Sequence, residues 1–79
     1  MDPHHLVKMA NNIGDFFAAE EDKSKAAKSV ADHIRSFWDP RMRREIFRYL
    51  DEQGGAGLKE LVLTALRTHR SELTPQKQT

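Results

Sequence analysis

Apolar side chains recur at intervals of three and four residues through most of this 79-residue chain. At about 100° per residue, that spacing places them on one face of an α-helix, and no run of residues alternates as a strand would. The pattern predicts four helices, over about residues 3–19, 24–37, 40–53 and 58–70. A chain of this length holds one hydrophobic core. The sequence therefore predicts an all-α fold, a small single domain of about four helices.

Turn-forming residues mark the ends of these helices. Asp2-Pro3 and Asp39-Pro40 are helix starts, because Asp caps the first turn and Pro has no N–H to leave unpaired there. Gly54 suits the left-handed residue that follows a helix. These signals predict that the second and third helices are joined by a very short turn.

The C-terminal residues carry few apolar side chains. From residue 71 to residue 79 the chain has Pro75 and one large apolar residue, Leu73. Such a segment has little surface to bury in return for being ordered. We expect residues 1–70 to form the helical domain and residues 71–79 to form a disordered tail.

Four aromatic residues are among the largest members of the predicted core. Phe16 and Phe17 close the apolar stripe of the first helix, and Phe37 and Trp38 close that of the second. We expect them to act as structural anchors, with Phe37 and Trp38 packed behind the turn into the third helix. Leu63 points away from the stripe of the fourth helix and is expected to be a single exposed leucine.

The third helix carries its charges in the reverse of the favourable order. Arg41, Arg43 and Arg44 lie in its first turn, at the positive end of the helix dipole, whereas Asp51 and Glu52 lie in its last turn. Each such charge costs about 0.3–1 kcal/mol at an exposed site. An arrangement that opposes the stability of its own helix suggests a use outside the monomer.

The arginines of this helix fall on two faces. A basic stripe lies on the outer face and consists of Arg41, Arg44 and Arg48. Arg43 falls inside the apolar arc, and one interpretation is that it crosses the rim of the core to pair with Asp32 or Asp39. The other interpretation is that Arg43 and the stripe face acidic groups or a phosphate of a partner, which suit the planar guanidinium. The residues alone leave both open.

Side chains that support catalysis or metal binding are sparse. The absence of Cys excludes disulfides, thiolate nucleophiles and thiolate metal sites. His4 and His5 are adjacent and project about 100° apart, so one helix face cannot offer both to an ion. No Ser has a neighbouring His and acid, and the glycine-rich run at 54–57 lacks the strand and the Lys of a phosphate-binding loop. We expect a chain that is not an enzyme and binds no cofactor or metal itself.

Net charge and hydropathy limit the kinds of partner that this chain is expected to bind. The 13 Lys and Arg residues nearly balance the 12 Asp and Glu residues, for a net charge of +1, which argues against general binding to nucleic acids or anionic membranes. No apolar stretch is long enough to span a membrane, and the N-terminus lacks the features of a signal peptide. We expect a cytoplasmic protein without a membrane partner. A small helical nucleic-acid-binding module is the alternative, because five arginines and several aromatic residues alternate within residues 35–49.

Residues 31–43 resemble a known family. The run Phe-Trp-Asp-Pro-Arg-Met-Arg at 37–43 is the most specific part, and the segments at 6–17 and 57–66 look like the same family. Over about residues 4–67 the chain resembles the delta subunit of the bacterial NAD-dependent formate dehydrogenases that contain molybdenum or tungsten. The motif is not catalytic, so it indicates a family rather than a reaction.

That resemblance implies a small accessory subunit without a redox centre of its own. Family members associate with a large alpha subunit that carries bis-molybdopterin guanine dinucleotide and iron–sulfur clusters, while further subunits carry FMN and clusters towards NAD. The implied role is non-catalytic, in assembly of the complex, insertion of the molybdenum cofactor or stability of the enzyme.

The resemblance and the charge order together predict that the corner between the second and third helices binds the large catalytic subunit. The cations there would reach acidic residues of that subunit. In a narrower form of this hypothesis they touch a pyrophosphate of the cofactor during its insertion, at the helix N-terminus. The predicted partner-binding residues are Asp39, Pro40, Arg41, Arg43, Arg44 and Arg48.

Overall fold

The structure is a computed structural model that describes residues 2–75, and these residues form helices and connecting turns with no strand. Five helices follow one another along the chain. Their bounds are α1 Pro3–Phe17, α2 Lys23–Phe37, α3 Pro40–Gln53, α4 Glu60–Thr68 and α5 Arg70–Leu73. The predicted all-α fold with four main helices is confirmed, and α5 adds a single turn to it.

Side-chain caps begin the helices close to the predicted positions. The Asp2 carboxylate accepts an N–H of the first turn of α1 at 3.0 Å, and the Asp39 carboxylate accepts the N–H of Met42 at 3.0 Å in α3. Gly54 ends α3 in the left-handed conformation, with a φ of 66°. The helix α2 begins one residue earlier than predicted, because the Asp22 carboxylate accepts two N–H groups of its first turn.

The packing is organised around α2. This helix lies against α1, α4 and α5, and α1 packs in turn on α3 and α4. The inward faces form one core, and no polar or charged residue is fully buried among residues 2–75. The largest side chains that are almost completely shielded from solvent are Leu6, Val30, Ile34, Ile46, Val62, Leu66 and Leu73.

Asn11, on α1, holds the connection between α3 and α4. Its side-chain amide donates to the carbonyl of Gly57 at 2.9 Å, and its side-chain oxygen accepts the N–H of Lys59 at 2.9 Å. The hydroxyl of Tyr49 donates to the carbonyl of Ala56 at 2.6 Å in the same loop. These bonds satisfy backbone groups in the connection between α3 and α4, which have no partners within a helix.

The C-terminal end of the fold differs from the prediction. The helix α4 covers Glu60–Thr68 rather than 58–70, and residues 71–73, which we expected in the tail, belong to α5. The side chain of Leu73 is fully buried in the core, so burial of one large apolar residue orders a turn that composition alone assigns to a tail. The remainder of the predicted tail from residue 76 onward lies outside the described residues.

Two of the four predicted aromatic anchors lie on the surface. Trp38 is buried and Phe17 is half-buried, but 79% of Phe16 and 73% of Phe37 are exposed. Neighbouring residues of a helix project about 100° apart, and at these helix ends the packing covers the direction of Phe17 and Trp38 but not that of Phe16 and Phe37. Trp38 follows the buried Ile34 by four residues and takes the inward direction, which leaves Phe37 outside.

Two glycines permit close approaches that a side chain would block. A Cβ atom on Gly14 would lie 2.7 Å from the Cγ2 of Val62, where α1 meets α4. A Cβ atom on Gly55 would lie 2.7 Å from the Cδ2 of Leu63. Leu63 therefore packs over the turn and is half-buried, which corrects the prediction that it is simply exposed.

Gly14→Ala should destabilise the fold despite the better helix propensity of Ala. The propensity gain is at most about 1 kcal/mol, whereas the added methyl group meets a fully buried, β-branched side chain, and overpacking costs typically about 1–3 kcal/mol. We expect a net loss of about 1 kcal/mol in the free energy of unfolding, measured by urea denaturation. Adding Val62→Ala should give a smaller loss than the sum of the two single changes. Additive losses would contradict the contact.

Candidate interaction surface

The turn between α2 and α3 is only two residues long and has little freedom. Trp38 is extended, its side chain is buried, and its N–H still bonds to the carbonyl of Ile34 at 2.9 Å. Asp39 is also extended and caps α3, and Pro40 occupies the first helical position. Asp39 and Pro40 thus act within the chain by fixing the direction in which α3 leaves the corner.

Arg41 and Arg44 are exposed in the first turn of α3, where no acidic residue is present. Neither forms an ion pair with any residue between 2 and 75, and the carboxylate of Glu45, four residues after Arg41, lies 3.8 Å from Arg48 instead. The two guanidiniums are thus without an acidic partner in this part of the chain. They stand at the helix end whose dipole repels them.

The acidic end of α3 is compensated by α5. The guanidinium of Arg70 bonds to Asp51 through two nitrogens, at 2.8 and 2.6 Å, and its central carbon lies 4.9 Å from the centre of the Phe47 ring. The hydrogen bond from Arg70 holds the pKa of the Asp51 carboxyl below its ordinary value. A cation supplied by the tertiary structure thus offsets the unfavourable charge of Asp51 at the negative end of the dipole.

Arg48 is compensated within its own helix. Its Nε donates to the carboxylate of Glu52 at 3.2 Å, and one of its terminal nitrogens lies 3.8 Å from Glu45. The bond with Glu52 raises the pKa of the Arg48 guanidinium above its ordinary value. Of the predicted basic stripe, Arg48 is therefore the member with acidic neighbours inside the described fold.

Arg43 reaches into the fold, but it does not bond to either carboxylate considered for it, Asp32 or Asp39. Its Nη1 donates to the backbone carbonyl of Leu73 at 3.2 Å, and its Nε is buried without a partner within residues 2–75. Arg43 therefore ties α5 to α3 and satisfies a carbonyl at the end of a helix. This contact leaves Arg41 and Arg44 as the arginines of the first turn that face solvent.

The aromatic residues interleaved with these arginines are mostly enclosed. Trp38 and Phe47 are buried and Tyr49 is half-buried, so among them only Phe37 exposes its ring. Stacking of bases requires accessible aromatic faces. The corner therefore offers one ring to a nucleic acid, next to two guanidiniums.

The chain also matches a known protein family. The sequence model of the family described as "NADH-dependant formate dehydrogenase delta subunit FdsD" matches residues 5–66. The chain belongs to this family. The match covers the corner motif at 37–43, and it confirms the resemblance that the motif indicated. Searches of curated proteins and of solved structures each gave no match.

Membership makes the chain a formate dehydrogenase delta subunit, part of an enzyme with several subunits. None of the helices within residues 2–75 is long and apolar enough to cross a membrane. The same residues contain no group of three or more His, Asp or Glu side chains arranged to hold a metal ion.

The family match ends before α5, although α5 completes the described fold. Arg70 and Leu73 lie beyond residue 66, and they bond to Asp51 and Arg43, which lie within the match. Hydrophobic periodicity does not predict this role, because a four-residue helix is too short to have a periodicity of its own. The available signal was Leu73, a single large apolar residue in an otherwise polar segment.

Leu73→Ala should strongly destabilise the chain although the residue lies outside the family match. Truncating a fully buried leucine costs about 2–5 kcal/mol, a large fraction of the stability of a domain of this size. Urea denaturation followed by circular dichroism measures the loss. Ser71→Ala, at an exposed position of the same helix, is the control and should change stability by less than about 0.5 kcal/mol. Equal stability of the two variants would show that α5 is not part of the core.

Acidification should weaken the fold partly through Asp51. Because the pKa of Asp51 is lowered by Arg70, this carboxylate stabilises the folded chain above the carboxyl pKa of the unfolded chain, and the contribution disappears as the pH falls through the folded-state pKa. Glu72, whose pKa is lowered by its bond with His69, acts in the same direction. Asp51→Asn should therefore lose less stability than the wild type between pH 7 and pH 3, measured as urea midpoints. Glu21→Gln, an exposed matched change, should behave like the wild type.

Proposed function

We propose that this chain is a non-catalytic accessory subunit that binds the large catalytic subunit of formate dehydrogenase through the α2–α3 corner. Its role is in assembly of the complex, insertion of the molybdenum cofactor or stability of the mature enzyme. Family membership supports a place in the complex, and the charges of the corner support a contact surface for it.

The observation that carries this proposal is the uneven compensation of the charges on α3. Asp51 and Arg48 have partners inside the fold, whereas Arg41 and Arg44 have no acidic partner within residues 2–75. Within α3, the solvent-facing cations left without an acidic partner are the two exposed arginines of its first turn, where the dipole repels them. A partner that brings carboxylates to this helix end would offset the repulsion from the dipole.

Carboxylates are the partner groups that the corner fits best. A guanidinium offers two parallel N–H groups to a carboxylate, and Arg41 and Arg44, three residues apart, lie on one face of α3. A pyrophosphate would also need free backbone N–H groups. Here Asp39 already accepts the N–H of Met42, and Pro40 has no N–H to donate. The acidic surface of a protein is therefore favoured over the cofactor itself.

The redox cofactors belong to the partner subunits in this proposal. Bis-molybdopterin guanine dinucleotide, iron–sulfur clusters and FMN reside there, and the delta chain holds none of them. The sequence contains no Cys with which to ligate an iron–sulfur cluster. We place the chain in the cytoplasm, with the enzyme it serves.

Replacing Arg41 and Arg44 by Gln should weaken binding to the large catalytic subunit without lowering the stability of the chain. Removing two cations from the positive end of α3 should leave the free energy of unfolding unchanged or raise it by up to about 1 kcal/mol. The same change should weaken binding to the large catalytic subunit by roughly tenfold or more. The first quantity is measured by urea denaturation and the second by co-purification and titration with the large subunit of the same organism.

Two matched controls make this result specific. Arg67→Gln removes an exposed guanidinium from α4 and should leave binding unchanged. Arg43→Gln should lower stability, because the carbonyl of Leu73 loses its donor. Unchanged binding by the Arg41→Gln/Arg44→Gln variant would overturn the role of the corner, and failure of the wild-type chain to bind the large subunit would overturn the proposed function. Retention of the wild-type chain on DNA at low salt, lost as salt is added, would instead favour the nucleic-acid alternative.

A further inference from the structure

A continuous strip of aromatic rings runs across the surface where α1 meets α2. We call Phe16, Phe17, His33 and Phe37 the aromatic strip. The ring centres of Phe16 and Phe17 are 5.0 Å apart, those of Phe17 and His33 are 6.2 Å apart, and those of His33 and Phe37 are 4.6 Å apart. The rings support one another across the two helices, so the strip has a defined shape before any partner arrives.

The two ends of the strip expose a large apolar area. Phe16 and Phe37 are 79% and 73% exposed, and they are the only large apolar side chains so exposed within residues 2–75. With roughly 200 Å² for a whole Phe side chain, the two rings present on the order of 300 Å² of apolar surface to water. A patch of this size on a small domain is commonly a binding site.

The strip ends close in the chain to the basic corner, by which we mean the exposed Arg41 and Arg44. Phe37 is the last residue of α2, and Arg41 follows it by four residues, so their Cα atoms lie within about 14 Å of each other. The area of the two rings is well below the roughly 800 Å² that each partner contributes to a standard interface. An occupant of the strip must therefore extend onto neighbouring surface, and beyond Phe37 this surface carries Arg41 and Arg44.

A second copy of the chain suits this combined surface poorly. In a two-fold dimer centred on the strip, the arginines of one copy would face the Phe16 end of the other. Of the acids near that end, Asp15 pairs with Lys59, Asp22 caps α2 and Glu20 accepts the N–H of Asp22, so within residues 2–75 only Glu21 is left without a partner there. One free carboxylate does not match two unpaired arginines, so the arginines favour a different and more acidic protein.

We infer that the aromatic strip is the apolar centre of the interface whose charged border is the basic corner, and that its occupant is an apolar cleft bordered by Asp or Glu on the large catalytic subunit. This inference rests on the proposed function and names the chemistry of the partner surface. Burial of the rings would supply affinity, and Arg41 and Arg44 would fix orientation and accelerate encounter. Binding through the strip would thus depend weakly on salt, and binding through the corner strongly.

Replacing both exposed rings by Ser tests the inference. The Phe16→Ser/Phe37→Ser variant should keep a melting temperature within about 4 °C of the wild type, because neither ring is in the core. Its binding to the large catalytic subunit should be weakened roughly tenfold or more. The Phe16→Leu/Phe37→Leu variant keeps apolar side chains at both positions and should retain most of the binding. Titration of each variant into the purified large subunit, at low and at high salt, gives these values.

A cross-linking experiment tests the inference without replacing both exposed rings by Ser. Benzoyl-phenylalanine placed at position 37 of the full chain should cross-link on illumination to the large subunit in the assembled complex. The same probe at position 67, on α4, should not. The absence of a cross-link from position 37, in a complex that does form, would overturn the inference even if the Ser variant failed to fold.

The remaining outcomes separate this inference from the proposed function. If the Ser variant binds like the wild type and the Arg41→Gln/Arg44→Gln variant does not, the strip has no role in binding and the proposed function stands. If the wild-type chain does not bind the large subunit at all, both are overturned. A wild-type chain that sediments as a dimer, with the Ser variant a monomer, would show that a second copy covers the strip and would overturn the inference alone.

Discussion

The two-residue turn of Trp38 and Asp39, followed at once by Pro40 of α3, is the constraint on which the surface of this protein depends. Because Trp38 fills the core beneath the turn, Phe37 is left pointing outward at the end of α2. Because Asp39 caps α3 and Pro40 begins it at once, Arg41 follows Phe37 by only four residues. One short connection therefore separates an exposed aromatic side chain from the two exposed guanidiniums of the first turn.

The charges of α3 illustrate how a tertiary contact can offset an unfavourable order of charges within a helix. The dipole opposes cations at the beginning of the helix and anions at its end. At the end, Arg70 from α5 bonds to Asp51 and rests on the Phe47 ring, so the anion is paired and the cation is partly shielded. At the beginning, Arg43 donates to the carbonyl of Leu73, and Arg41 and Arg44 have no acidic partner within residues 2–75. The helix is thus compensated internally at one end only.

The small size of the domain makes each of these contacts matter. A core of this scale supplies no more than about 3–5 kcal/mol, and no disulfide adds to it. The burial of Leu73 and the Asn11 bonds to the loop after α3 are therefore large contributions relative to the total. A subunit of this kind gains stability from any partner that binds only the folded chain.

Local signals in the sequence determined the four main helices, the caps at Asp2 and Asp39, the left-handed Gly54 and the family. Each of these depends on a few neighbouring residues, so periodicity and turn chemistry were sufficient to predict it. The reversed charges of α3 were equally visible, but their consequences were not, because the partners of Asp51 and Arg43 come from residues 70–73.

The tertiary structure alone decided which residues are buried at crowded positions. Phe16, Phe17, Phe37 and Trp38 are all apolar and all adjacent to a stripe, and only the packing of α1 against α2 selects which of them face the core. The same packing brings residues 16, 17, 33 and 37 into one strip of rings. Periodicity assigns a residue to a face of its own helix, whereas the position of the neighbouring helix decides how much of that face is covered.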